Sequence, residues 1–263
     1  MPEKVVVILS TGRTGTAALA HFFNTSYDNV TALHEPKPTR HLRLLSNRAV
    51  AGGLSPAAAT RALALSRRRL LNSLTRPIYI ESNWYLYGLL DALRPVFGKP
   101  QVLHVVRDPR TFIPSYLNYG TFRGLKWLAT NLLPYWYLRP EQTRSRTARR
   151  WSQMTEPERL AFHWHAVNRE LDRAAALFGE DYRRMRYEDL FDPNATALGE
   201  LLQWIGLPDS MKLREQMRSD RVNASTGRGS AKWQKIDADA RGGILELCGE
   251  QMERYGYAGD DTD

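Results

Sequence analysis

Residues 5–19, VVVILSTGRTGTAAL, constrain the fold more than any other stretch of this chain. Val5 to Leu9 is apolar at every position and offers no polar face, so it reads as a central strand buried on both sides of a sheet. Ser10, Thr11, Gly12, Arg13, Thr14, Gly15 and Thr16 then form a turn, and an apolar helix is expected from Gly15 to Asn24. A strand, a tight turn and a helix N-terminus gather unsatisfied backbone N–H groups and the positive end of the helix dipole at one point. That geometry suits phosphate or a similar anion. Arg13 adds a full positive charge there, and Thr14 and Thr16 add hydroxyl donors. The competing reading is a connection that binds nothing, because such turns recur throughout α/β folds.

The rest of the chain repeats the strand-then-helix pattern. Strands are expected at Val30 to Leu33, Ile78 to Ile80, Val102 to Val106 and, more weakly, Tyr182 to Tyr187. Helices are expected at Pro56 to Leu74, Tyr85 to Phe97, Pro109 to Leu117, Glu156 to Phe178, Pro193 to Ile205 and Ala238 to Tyr255. Alternation of this kind predicts an α/β fold with a central parallel sheet flanked by helices on both faces. At 263 residues the chain suffices for one substantial core, read as a single domain over 1–263. Residues 118–155 fall outside the alternation and carry Tyr119, Phe122, Trp127, Tyr135, Trp136, Tyr137 and Trp151 among arginines. They read either as a lid or acceptor-binding insertion or as an aromatic helical hairpin completing the core.

Composition narrows the setting. No run approaches the ~20 apolar residues of a membrane span, and the one cysteine, Cys248, excludes an internal disulfide or a multi-cysteine metal site, so a cytoplasmic location is expected. Net charge is +9, unevenly spread. No acid occurs between Glu35 and Glu81, where Lys37, Arg40, Arg43, Arg48, Arg61, Arg67, Arg68, Arg69 and Arg76 all fall. The stretch is either a solvated face or an attractor of anionic ligands, nucleic acid or a membrane surface. Nucleic acid is not expected, because only Tyr79 interrupts these arginines and stacking platforms are missing. Peripheral membrane contact through the basic face stays open, and the oligomeric state is not readable.

A metal-dependent triphosphatase or kinase would need G-x-x-x-x-G-K-[ST], with a lysine for the terminal phosphates. Here Gly15 is followed by Thr16, Ala17 and Ala18. Against that background the G-R-T-G-T loop resembles the 5′-phosphosulfate loop of sulfotransferases that use 3′-phosphoadenosine 5′-phosphosulfate (PAPS). In VLHVVRDPRTFIPSYL, Arg107 ends a strand and Ser115 follows eight residues later on a helix, which resembles the family's 3′-phosphate site. RYEDL, at Arg186 to Leu190, is similar to the family's Tyr-Glu-Asp segment, and STGRGSAKWQ, at Ser225 to Gln234, to its C-terminal basic stretch.

The resemblance implies a P-loop-like α/β fold and transfer of a sulfuryl group from PAPS to a hydroxyl, or less readily an amine, with no metal. It also implies that Gly12, Arg13, Thr14, Gly15, Thr16, Arg107, Ser115, Tyr187, Arg228, Gly229 and Lys232 bind the donor, and that Arg13 steadies the leaving phosphate. For the base, Glu35 in TALHEPKP is the first choice, with His34 and Glu81 as alternatives. Trp84 stands near the position at which small-molecule enzymes of the family place a histidine, so that histidine mechanism does not transfer. The acceptor reads as a small molecule, a saccharide or a lipid-like compound. Other classes left open are a P-loop nucleotide kinase and a non-catalytic nucleotide- or RNA-binding module.

Overall fold

The computed structural model describes residues 2–119, 125–143, 150–192, 196–211, 213–215, 217 and 232–257. Five parallel strands run in the order β2-β3-β1-β4-β5: β1 (Lys4–Ser10), β2 (Val30–His34), β3 (Ile78–Ser82), β4 (Gln101–Val106) and β5 (Tyr182–Arg186). Each strand reproduces an expected one to within two residues at either end. The all-apolar β1 occupies the centre, between β3 and β4, and is buried from Val5 to Ser10.

Helices cover both faces. One layer of core gathers Val5, Val7 and Leu9 with α3 (Pro56–Ser73), α4 (Leu90–Phe97) and α7 (Glu156–Phe178). The other gathers Val6 and Ile8 with Leu19, Phe22 and Phe23 of α1 (Thr16–Ser26) and with α9 (Ala197–Ile205). Alternate residues of β1 thus enter opposite cores, as the two-residue period of a strand requires. A third cluster joins α5 (Pro109–Asn118), α7 and α10 (Ala238–Arg254).

Four elements depart from expectation. A helix, α2 (Arg40–Val50), lies in the basic stretch, where its arginines obscured the apolar face. The helix expected from Tyr85 begins only at Leu90, after a single 3₁₀ turn at Trp84–Leu86, because Asn83 caps that turn through Tyr85 N–H. Among the described residues between 118 and 155 are α6 (Leu125–Leu132) and two 3₁₀ turns, and Tyr137, Leu138, Trp151 and Met154 are buried against α5 and α7. The Tyr-Glu-Asp segment is a short helix, α8 (Tyr187–Leu190).

Arg67, within the basic stretch, is fully buried and is not a surface cation. It grips the equally buried Glu81 through Nε at 2.9 and 3.0 Å and Nη2 at 2.7 Å. The Tyr79 hydroxyl and Asn83 Nδ2 each donate to the same carboxylate at 2.9 Å. Two charges taken out of water persist only when their bonding capacity is filled in this way.

Candidate active site

Parallel α/β sheets present their ligand crevice at the carboxyl ends of the strands. Here those ends bring together the loop after β1, His34 at the end of β2 and Glu35 after it, Ser82 at the end of β3 and Trp84 after it, Arg107 after β4 and Tyr187 after β5.

The loop is wound tightly. Gly12, Arg13 and Gly15 all lie in the left-handed region, at φ of 80°, 54° and 69°. Gly15 precedes α1 with no side-chain cap, and the first turn of α1 carries no acid, so the helix N-terminus supplies none of its own neutralising groups. Thr14 is fully buried, and its hydroxyl is an orphan with no hydrogen-bond partner in the described structure. An interior hydroxyl of that kind calls for a ligand or solvent atom.

Three contacts brace the loop from behind. His163 of α7 donates from Nε2 to the Thr11 carbonyl at 3.0 Å, inside a ring of Trp84, Phe112, Tyr116 and Tyr137. Burial drives the His163 pKa down to about 4, so it is a neutral strut at pH 7. Arg107 donates from Nη1 to the Arg13 carbonyl at 2.7 Å and from Nε to Thr111 at 3.1 Å, and its guanidinium lies 4.5 Å from the centre of the Tyr187 ring. Tyr187 and Phe191 in turn pack onto Gly15, where an added Cβ would fall 2.8 and 2.6 Å from their rings. Gly15→Ala is therefore expected to lower unfolding free energy by about 1–2 kcal/mol from the left-handed backbone alone, and further through displaced rings, as read by urea titration.

Tyr187 is itself fixed by its neighbour. Glu188 accepts from the Asp108 backbone N–H at 3.1 Å and from the Tyr257 hydroxyl at 2.7 Å, tying β4, α8 and the end of α10 together. Ser115 lies two turns along α5, half-buried, and its hydroxyl makes no hydrogen bond to another described residue. Lys232 is exposed and lines a cleft with Leu117 of the same helix, which brings the C-terminal basic stretch alongside α5. Arg228 and Gly229 lie outside the described residues.

The base candidates separate clearly. Glu81 has no exposed surface and four donor groups on it, and its position is structural. Glu35 is half-buried and strained at φ 45°, its backbone N–H bonded to the Ser82 carbonyl at 2.8 Å. Burial raises its carboxyl pKa above the ordinary glutamate value, against a hydrogen bond from Trp84 and the charges of Arg43 and Arg40. His34 stands 3.7 Å from it through Nε2. Ser82 gives its single proton to the Thr16 carbonyl at 3.1 Å, so His34 Nδ1, 2.9 Å from Ser82 Oγ, must be the donor in that pair. The unprotonated Nε2 then faces Glu35, and burial lowers the His34 pKa.

Two features escape sequence reasoning. Trp84 stands out in the sequence for lacking a histidine at its place, yet in the structure its ring lies against Gly12 and its side chain acts to lower the Glu35 pKa against burial. Arg43 sits among Tyr85, Trp136 and Tyr137. Neither contact has a sequence signal, since the partners come from separate elements.

The sequence matches no protein-family profile and no curated protein. Comparison with solved structures gives a different result. The sulfotransferase domain from the curacin biosynthetic pathway aligns with 95% of this chain and 98% of its own at a TM-score of 0.56 and 14% identity. The sulfotransferase domain from the Synechococcus PCC 7002 olefin synthase aligns over 95% and 94%, with a TM-score of 0.57 and 15% identity. The chain has the sulfotransferase fold. Mouse sulfotransferase SULT7A1, solved in complex with PAP, shares it over 98% of this chain and 90% of its own, at a TM-score of 0.58 and 12% identity. At these identities the likeness is one of architecture. No helix among the described residues is long and apolar enough to cross a membrane. No group of three or more His, Cys, Asp or Glu among them is placed to hold a metal ion.

Proposed function

We propose that this chain is a PAPS-dependent sulfotransferase acting on a hydroxyl of a small-molecule, saccharide or lipid-like acceptor in the cytoplasm. The observation that carries the reading is the direct bond from Arg107 to the Arg13 carbonyl, with Tyr187 stacked on Arg107 and packed on Gly15. Three motifs far apart in the sequence, at Arg13, Arg107 and Tyr187, meet at one loop. The orphan hydroxyl of Thr14 and the uncapped start of α1 suit the 5′-phosphosulfate. Arg107 and Ser115 suit a 3′-phosphate, the first as a two-pronged cation and the second through its uncommitted hydroxyl.

The donor supplies the sulfuryl group, and the chain supplies alignment, charge and a proton acceptor. The acceptor oxygen bonds to sulfur as the bond from sulfur to the 5′-phosphate oxygen breaks. Arg13 sets a positive charge against the charge growing on the leaving phosphate. Glu35 takes the hydroxyl proton, and a raised pKa makes it a stronger base than a solvated glutamate. His34 Nε2 is positioned to pass that proton outward. The described part of 118–155 then forms a wall of the acceptor side, with Tyr119 5.2 Å from the Arg13 guanidinium.

Calorimetric titration with 3′-phosphoadenosine 5′-phosphate (PAP), against ADP and against ATP with magnesium, tests the donor site. Binding that requires the 3′-phosphate and no metal supports the reading. Preference for ATP with magnesium would replace it with a kinase, and no nucleotide binding would leave a non-catalytic module.

A further inference from the structure

Arg43 is a half-buried cation enclosed by aromatic rings. Its guanidinium lies 3.8 Å from the centre of the Trp136 ring, with the rings of Tyr85 and Tyr137 at 5.7 and 5.6 Å. Ring faces stabilise the charge from above and below the guanidinium plane, but they do not accept its in-plane N–H groups as a carboxylate would. Nε is buried without a hydrogen-bond partner, and Arg43 takes part in no ion pair among the described residues. Other arginines here are satisfied: Arg67 by Glu81, Arg110 by Asp108 and Arg186 by Asp189.

The local charge balance is equally one-sided. The charges of Arg43 and Arg40 act on Glu35, yet neither arginine forms an ion pair with it among the described residues. Tyr85 joins the two places, its ring 4.3 Å from Trp84 on one side and 5.7 Å from Arg43 on the other. The aromatic cage and the proposed base therefore share a wall. A flat guanidinium held against an indole presents its N–H edges in one plane, the arrangement that receives the two oxygens of a carboxylate.

We propose that the acceptor carries a carboxylate, which Arg43 receives, with an aromatic or apolar body spanning the distance to the hydroxyl that reacts at Glu35. The carboxylate site stands on Arg43 alone, whereas the reacting hydroxyl rests on the sulfuryl-transfer reading. A saccharide without an acidic group would leave the cage unfilled.

The test uses 3-(4-hydroxyphenyl)propanoate and its amide, titrated calorimetrically into the full chain with and without saturating PAP. The acid is expected to bind at least tenfold more tightly than the amide. Arg43→Met, which keeps bulk against Trp136, is expected to bring that ratio to about one with the affinity for PAP unchanged. Arg43→Lys, which keeps the charge and loses the fork, should retain part of the ratio, and it serves should the methionine variant fail to fold. Equal affinity for acid and amide, or a ratio that survives Arg43→Met, overturns the proposal. An Arg43-dependent ratio in a chain that does not bind PAP would sustain the carboxylate site and remove the sulfuryl-transfer reading. PAP binding with no acid preference would do the reverse.

Discussion

Glu35→Gln is expected to lower turnover by ~10²- to 10⁴-fold while leaving the affinity for PAP nearly intact. Glutamine keeps the shape of the side chain but cannot take a proton. Single-turnover transfer of labelled sulfate from PAPS, with PAP affinity measured alongside, separates the two effects. The pH profile gives an independent reading. The base works only when ionised, so kcat/KM rises with pH as Glu35 loses its proton, and burial places that rise above the ordinary glutamate range. Glu35→Gln removes the limb. Equal loss of binding and turnover would mean that Glu35 holds the loop and does not serve as base.

Arg107→Ala is expected to weaken PAP by about 10²-fold, the worth of a two-pronged charged contact, and to abolish the preference for PAP over adenosine 5′-phosphate. The second effect is the decisive one. Arg107 also supports the Arg13 carbonyl, so a general loosening of the loop would weaken both nucleotides alike. Selective loss against PAP identifies a 3′-phosphate contact, and a uniform loss identifies a brace. Titration of both nucleotides into both proteins distinguishes them.

These two residues also mark how unevenly the site is legible in the sequence. Arg107 closes an apolar strand before Asp-Pro, and both its place at the crevice and its proximity to the loop follow from the strand pairing of β1 with β4. Glu35 is visible as an acid after a strand, but so is Glu81, and nothing local distinguishes them. Arg67, on α3, sets them apart by burying itself against Glu81. In sequence that arginine is one of nine cations in an acid-free run; in the structure it has no contact with water. The helix α2 is hidden for a related reason. Arginines punctuate it, and its buried Leu42, Ser46 and Asn47 are too polar a set to register as an apolar stripe.

The order of residues alone dictates the alternating parallel sheet, the central place of β1, and a tight glycine-containing turn before α1. Those follow from local causes: an unbroken apolar run, glycines where φ turns positive, and proline or aspartate at helix starts. Packing in three dimensions was needed to fix which carboxylate is sealed and which is reachable, that Trp84 lies beside Gly12, and that Arg43 lies in an aromatic cage. Each of these depends on desolvation and on partners from other elements, and the energy of a charge is set by what surrounds it in space.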